Sequence, residues 1–184
     1  MESPYRAALE PLARSAVYEL LSAGFLYPEE GYAAYVRRRA RRLVSASSLV
    51  GRTDVGRALE RLAKALAVEG EPSPAKEYAN VFGHTISTDC PPYEAEYDKA
   101  HVFQKSQAIA EPRGFYEAFG VAPNPGVKDR PDHISVELEF MHLLTLKEAH
   151  ANWHGHGRDK VRLCRQAQEP FLANHLGGWV ESFV

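Results

Sequence analysis

The sequence predicts an all-α fold, a single-domain bundle of six to seven helices spanning residues 1–184. Apolar residues recur every three to four positions over most of the chain. Proline and glycine gather between those stretches rather than within alternating ones. No apolar/polar run of strand length is bounded by turn residues, and no internal repeat is visible.

The first helix is expected from Tyr5 to Tyr27, where Ala8, Leu9, Leu12, Ala16, Val17, Leu20, Leu21 and Phe25 share one face. Pro28 ends it, and Gly31 marks the turn into a second helix over 32–45. Thr53 or Asp54 caps a third, in which Val55, Leu59, Leu62, Ala63 and Leu66 recur up to Gly70. Pro72 and Pro74 open a short fourth that runs through Phe82. Residues 83–93, with Gly83 and the Pro91-Pro92 pair, form a loop. Helical spacing returns from Phe103 to Gly120, followed by a second long connection over 121–131, which carries three prolines and is a candidate hinge. Asp132 then stands as N-cap of a long helix with Ile134, Leu138, Met141 and Thr145 on one face. A last helix is expected from Gly157 to about His175, ending at Gly177-Gly178.

A chain of 184 residues, 45% hydrophobic and 25% charged, has the composition of a globular protein with its own core. Cys90 and Cys164 form neither a CxxC pair nor a secreted framework, so a reducing compartment fits. The amino terminus has no apolar segment behind a basic cluster, and no apolar stretch approaches the roughly 17 residues of a membrane span. A cytoplasmic location is expected. Phosphate-cradling glycine loops, nucleophile elbows and HExxH zinc motifs are all missing, which argues against an enzyme and against a bound cofactor.

His142, His150, His154 and His156 invite a metal reading. Gly155 and Gly157 suggest that the helix has ended by then, and no cysteine or carboxylate completes a ligand set, so these are expected to be exposed helix-end histidines with no metal. Arg37-Arg38-Arg39-Ala40-Arg41-Arg42 is the one dense basic patch. It supports an alternative reading as a helical nucleic-acid-binding or regulatory module, but it lacks interleaved aromatics and reads first as a solvated face.

Net charge is −2, unevenly spread: residues 71–140 carry 12 acidic against 6 basic side chains. Within that acidic third, carboxylates are interleaved with rings and prolines, as in Cys90-Pro91-Pro92-Tyr93-Glu94-Ala95-Glu96-Tyr97-Asp98. Such a mixture suits a partner that is both cationic and apolar. The rings supply area, the carboxylates accept guanidinium groups and the prolines lower the ordering cost.

The run Arg130-Pro131-Asp132-His133-Ile134-Ser135, with Glu137-Leu138 and Met141 behind it, resembles the signature of the TorD/DmsD/NarJ family of cytoplasmic chaperones that mature molybdenum enzymes. Tyr78, Val81 and Phe82 are similar to that family's aromatic-x-x-Leu-Phe element, with Val in place of Leu. Pro91 to Tyr97 and Gly114 to Gly120 look closest to the branch serving type II enzymes of the DMSO reductase family. The resemblance implies a TorD-like helical domain that is not an enzyme. It would bind the twin-arginine signal peptide and apo form of a molybdopterin oxidoreductase catalytic subunit, holding it for cofactor insertion before export. It also implies a monomer or a domain-swapped dimer, and members usually extend further at the carboxyl end than Val184. The peptide site it implies comprises Pro92, Tyr93, Glu94, Arg130, Pro131, Asp132, His133 and Glu137.

Overall fold

A computed structural model describes residues 3–49, 53–65, 67, 73–83, 90–97, 105–122 and 130–183, with side chains described to 45 in the first of these segments. Helices α1 (Pro4–Gly24), α2 (Tyr32–Leu49), α3 (Thr53–Ala65) and α4 (Pro74–Phe82) are followed by a single 3₁₀ turn, Glu94–Glu96. Then come α5 (Lys105–Ala118), α6 (Ile134–Trp153), α7 (Arg158–Phe171) and α8 (Gly177–Phe183). No strand is present among the described residues beyond one isolated bridge, between Tyr93 and His133. The all-α expectation holds. The expected extension of α3 to Gly70 and most of the candidate hinge, 123–129, lie outside the described residues.

Helix α6 is the axis of the fold. Ile134, Leu138, Phe140, Met141 and Leu144 are buried and join Tyr116 of α5, Ala167 and Phe171 of α7, and Leu176 and Trp179 beyond it, in one core. A second, smaller core joins Leu20 of α1, Val36 and Ala40 of α2, and Leu59 and Ala63 of α3. Helix α1 lies antiparallel along α6, as three side-chain bonds show. Ser22 Oγ donates to the Ser135 carbonyl at 2.9 Å, Ser15 Oγ lies 2.9 Å from His142 Nδ1, and Asn152 Nδ2 donates to the Ala7 carbonyl at 3.2 Å. The residue numbers rise on one helix as they fall on the other.

Four polar residues of α6, Ser135, Glu137, Thr145 and Glu148, are buried among these apolar ones and each needs partners. Thr145 Oγ1 turns back to the Met141 carbonyl at 2.7 Å. Glu148, fully buried, receives Arg14 Nη2 at 2.9 Å, Arg165 Nε at 2.6 Å and Gln168 Nε2 at 2.9 Å, which ties α1 and α7 to the centre of α6. The basic patch runs along α2, where Arg39 pairs with Glu19 of α1 and lies over the Tyr35 ring.

The last helix does not stop at Gly177-Gly178 as expected. It passes through a π turn, Leu172–Leu176, and continues as α8 to Phe183. Pro170 carries no N–H to continue the i→i−4 ladder, and the wider turn follows one residue after Phe171. A β-carbon on Gly177 would meet the Leu172 carbonyl oxygen at 2.7 Å, so glycine allows the chain to continue there instead of ending it.

Candidate functional site

The predicted site residues come from two segments more than thirty positions apart, and the backbone itself brings them together. Glu94 N–H donates to the Asp132 carbonyl at 2.9 Å, and Ile134 N–H donates to the Pro92 carbonyl at 3.0 Å. These bonds flank the Tyr93–His133 bridge. Tyr116 Oη donates to the Pro131 carbonyl at 2.7 Å and anchors the second segment to α5.

Asp132 is not the N-cap of α6. That position belongs to His133, whose Nδ1 accepts the Ser135 N–H at 3.1 Å and lies 2.7 Å from the Ser135 hydroxyl. A ring nitrogen accepting an N–H has its lone pair free, and the positive start of the helix dipole favours that uncharged imidazole. Asp132 sits one residue too early to reach those amides. Its carboxylate turns the other way and caps the 3₁₀ turn, accepting Ala95 N–H on Oδ2 at 3.2 Å.

The same carboxylate, fully buried, takes a two-point bond from Arg130, Nε to Oδ1 at 2.9 Å and Nη2 to Oδ2 at 2.7 Å. The third guanidinium nitrogen, Nη1, reaches Glu96 Oε1 at 3.0 Å. The guanidinium carbon stands 4.5 Å from the centre of the Tyr93 ring, a cation–π contact. Burial is the largest influence and opposes the Arg130 charge, but the bonds and charges of Asp132 and Glu96 together overcome it and raise the guanidinium further. Glu96 also accepts Lys105 Nζ at 2.7 Å. Burial works against its charge as well, yet Lys105 and Arg130 together hold its carboxyl below the usual range.

Glu94 and Glu137 make a second centre beneath the first. His175 Nδ1 lies 3.0 Å from both Glu94 oxygens, and Trp179 Nε1 donates to Glu137 Oε2 at 3.2 Å. Glu137 is fully buried and its Oε1 finds no donor. Burial first, then the Glu94 charge, pushes its carboxyl up to about 10; Trp179 acts in the opposite sense. Glu137 is therefore protonated at neutral pH and has a proton to offer to Glu94.

Most of the carboxylates of the acidic third that meet here are thus turned inward. Asp132 and Glu94 are paired with the chain's own Arg130, Ala95 N–H and His175, and one oxygen of Glu137 with Trp179. Tyr93, Glu94, Glu96, Arg130 and Pro131 remain partly exposed. The second partner of Glu96 is Lys105, whose side chain is 42% exposed.

A row of rings leads away from this point. Tyr97 stacks on Trp179 at 5.2 Å and meets Phe183 at 6.2 Å. Phe183 contacts Phe82 at 6.3 Å and Phe25 at 5.6 Å. Phe82 contacts Tyr78 at 4.8 Å, and Tyr78 meets Tyr27, 57% exposed, at 5.5 Å. Glu96 and Tyr97 stand within the motif that sequence reasoning singled out, yet neither was counted in the site. His175, Trp179 and Lys105 carry no local signal at all.

The geometry is that of a helical protein whose polar junction pairs Arg130 with the carboxylates of Asp132 and Glu96. Comparison with known proteins gives its class, because the nitrate reductase delta subunit family model matches residues 51–184 and the chain belongs to that family. The resemblance read from Arg130 to Ser135 is to the same family of maturation chaperones. Among its relatives is the perchlorate reductase assembly chaperone of Dechloromonas aromatica (strain RCB), 30% identical over 182 residues, 92% of this chain and 75% of that protein. The chlorate reductase assembly chaperone of Ideonella dechloratans is 41% identical over 69 residues, 38% of this chain and 34% of that protein. The selenate reductase assembly chaperone of Thauera selenatis is 39% identical over 69 residues, with the same coverage of 38% and 34%. A solved structure provisionally described as a redox enzyme maturation protein from Archaeoglobus fulgidus overlays with a TM-score of 0.46 at 21% identity, covering 84% of this chain and 91% of that one. The protein is an assembly chaperone and not a catalyst. No helix among the described residues is long and apolar enough to cross a membrane.

Proposed function

We propose that this chaperone serves the catalytic subunit of a molybdopterin-dependent reductase of the DMSO reductase family, binding its twin-arginine leader and apo body in the cytoplasm until the cofactor is inserted. The observation that carries the reading is the continuity of the ring row with an ionised carboxylate. The strip from Tyr27 through Tyr78, Phe82, Phe183 and Tyr97 ends beside Glu96. A twin-arginine leader joins two guanidinium groups to an apolar stretch, so one molecule satisfies both ends. Arg130 already occupies this junction in the manner of an incoming arginine, over the Tyr93 ring and bonded to Asp132 and Glu96. A leader arginine that displaces Lys105 from Glu96 makes a charge-assisted bond without breaking the buried Arg130–Asp132 pair.

Pro92, Tyr93, Glu94, Pro131, His133 and Glu137 act in this reading mainly as the frame of the junction, with Tyr93 and Pro131 on its surface. Calorimetric titration with a twin-arginine leader peptide, beside a control in which glutamines replace both arginines, tests it. Micromolar or tighter binding is expected, weakened at least tenfold by the replacement and reduced by salt, since exposed ion pairs are screened. Equal affinity for the two peptides contradicts the arginine reading.

A further inference from the structure

Outside this junction, at the opposite end of α6, three histidines come together. His150 lies in the last turn of the helix, His154 is its C-cap and His156 follows in the turn to α7. Their ring centres are 4.3 Å (150 to 154), 5.1 Å (150 to 156) and 5.6 Å (154 to 156) apart. All three are exposed. The backbone that gathers them is fixed. His154 N–H donates to the His150 carbonyl at 3.0 Å, and His156 N–H reaches back to the Ala151 carbonyl at 3.0 Å. Gly155, at φ 61°, takes the left-handed conformation that folds His156 back over the helix end, and Gly157, at φ 89°, leads the chain on into α7.

We propose that His150, His154 and His156 form a surface site for a divalent transition-metal ion with a preference for imidazole, such as zinc. Three imidazoles bound through one nitrogen each to a tetrahedral ion, at a metal–nitrogen distance of ~2.1 Å, have ring centres roughly 5 Å apart. That is the spacing of this trio. His150 and His154 are one helical turn apart, a chelating interval on a helix face. The carbonyl end of α6 adds a favourable potential for a cation. In the present rotamers the rings do not make a ready-formed ligand set. Exposed side chains change rotamer on picosecond to nanosecond timescales, so the proposed site forms by turning one nitrogen of each ring toward the ion. Three protein ligands leave a fourth position open to water or to a donor from another molecule.

Zinc titrated calorimetrically into the metal-stripped, untagged full chain, in a non-chelating buffer, tests the site. One ion per chain at micromolar or tighter affinity is expected, with at least a tenfold loss in His154→Ala and loss of saturable binding in the His150→Ala/His154→Ala pair. Both variants are at exposed positions and should keep the wild-type far-ultraviolet dichroism. Absence of saturable zinc binding by the native chain, or an affinity that the paired substitution leaves unchanged, overturns the proposal.

Discussion

Glu137→Gln is expected to abolish a large pH dependence of stability. In the native fold the Glu137 carboxyl is pushed up from 4.5 to about 10, by burial and by the neighbouring Glu94 and Asp132 charges. In the unfolded chain it returns to the ordinary carboxylate range. Between those values the folded state keeps a proton that the unfolded state releases. The associated stability is fully present below about pH 4.5 and is lost as pH rises toward 10, at up to about 1.4 kcal/mol per pH unit. Glutamine keeps the shape and an acceptor for Trp179 Nε1 but does not titrate, so the variant lacks this slope. Urea denaturation at about pH 5, 7 and 9 reads the difference. The native chain should lose on the order of 2 kcal/mol or more relative to the variant across that range. Parallel curves for the two proteins would mean that Glu137 is ionised in the fold and that the Glu94–Glu137 pair is held in some other way.

Asp132→Ala should be the most damaging single change at the junction. It removes both oxygens that hold Arg130 and the cap on the Ala95 amide, and it leaves a partly buried guanidinium with Glu96 alone. Breaking a buried pair by deleting one partner costs about 3–5 kcal/mol. Arg130 keeps some access to water, so about 2–4 kcal/mol is expected from denaturant midpoints. Leader affinity should fall with it, because the Pro92–Glu96 segment and Tyr93 are positioned by this carboxylate. A stability loss with leader affinity intact would reduce Asp132 to a purely structural tie. A loss below about 0.5 kcal/mol would show that the backbone bonds alone hold the two segments together.

How much of this was legible depends on how local each cause is. Helices α1 and α6 are written in their own periodicity, since the core positions Leu20, Ile134, Leu138 and Met141 follow the helical repeat that produces them. Asp132 was legible as a capping residue in kind but not in direction. Which amides it caps depends on the 3₁₀ turn at Glu94–Glu96, nearly forty residues earlier, and on a one-residue offset that gives the helix start to His133. The acidic character of the middle third was visible, while its inward pairing was not. Glu94 finds His175 and Glu137 finds Trp179 across intervals that no local pattern spans. Gly155 and Gly157 were correctly read as the end of a helix. What the composition could not convey is that the positive φ of Gly155 turns His156 back onto His150 and His154 rather than away from them.

The central claim is that a leader arginine meets Glu96 at the junction, and a double-mutant cycle tests it most directly. Native protein and Glu96→Gln are each titrated with the twin-arginine leader and with its glutamine control, at matched stability. A coupling of about 1 kcal/mol or more between Glu96 and the arginine pair is the predicted result, as befits a charge-assisted contact. Strict additivity of the two changes would contradict it and place the leader's arginines elsewhere on the protein.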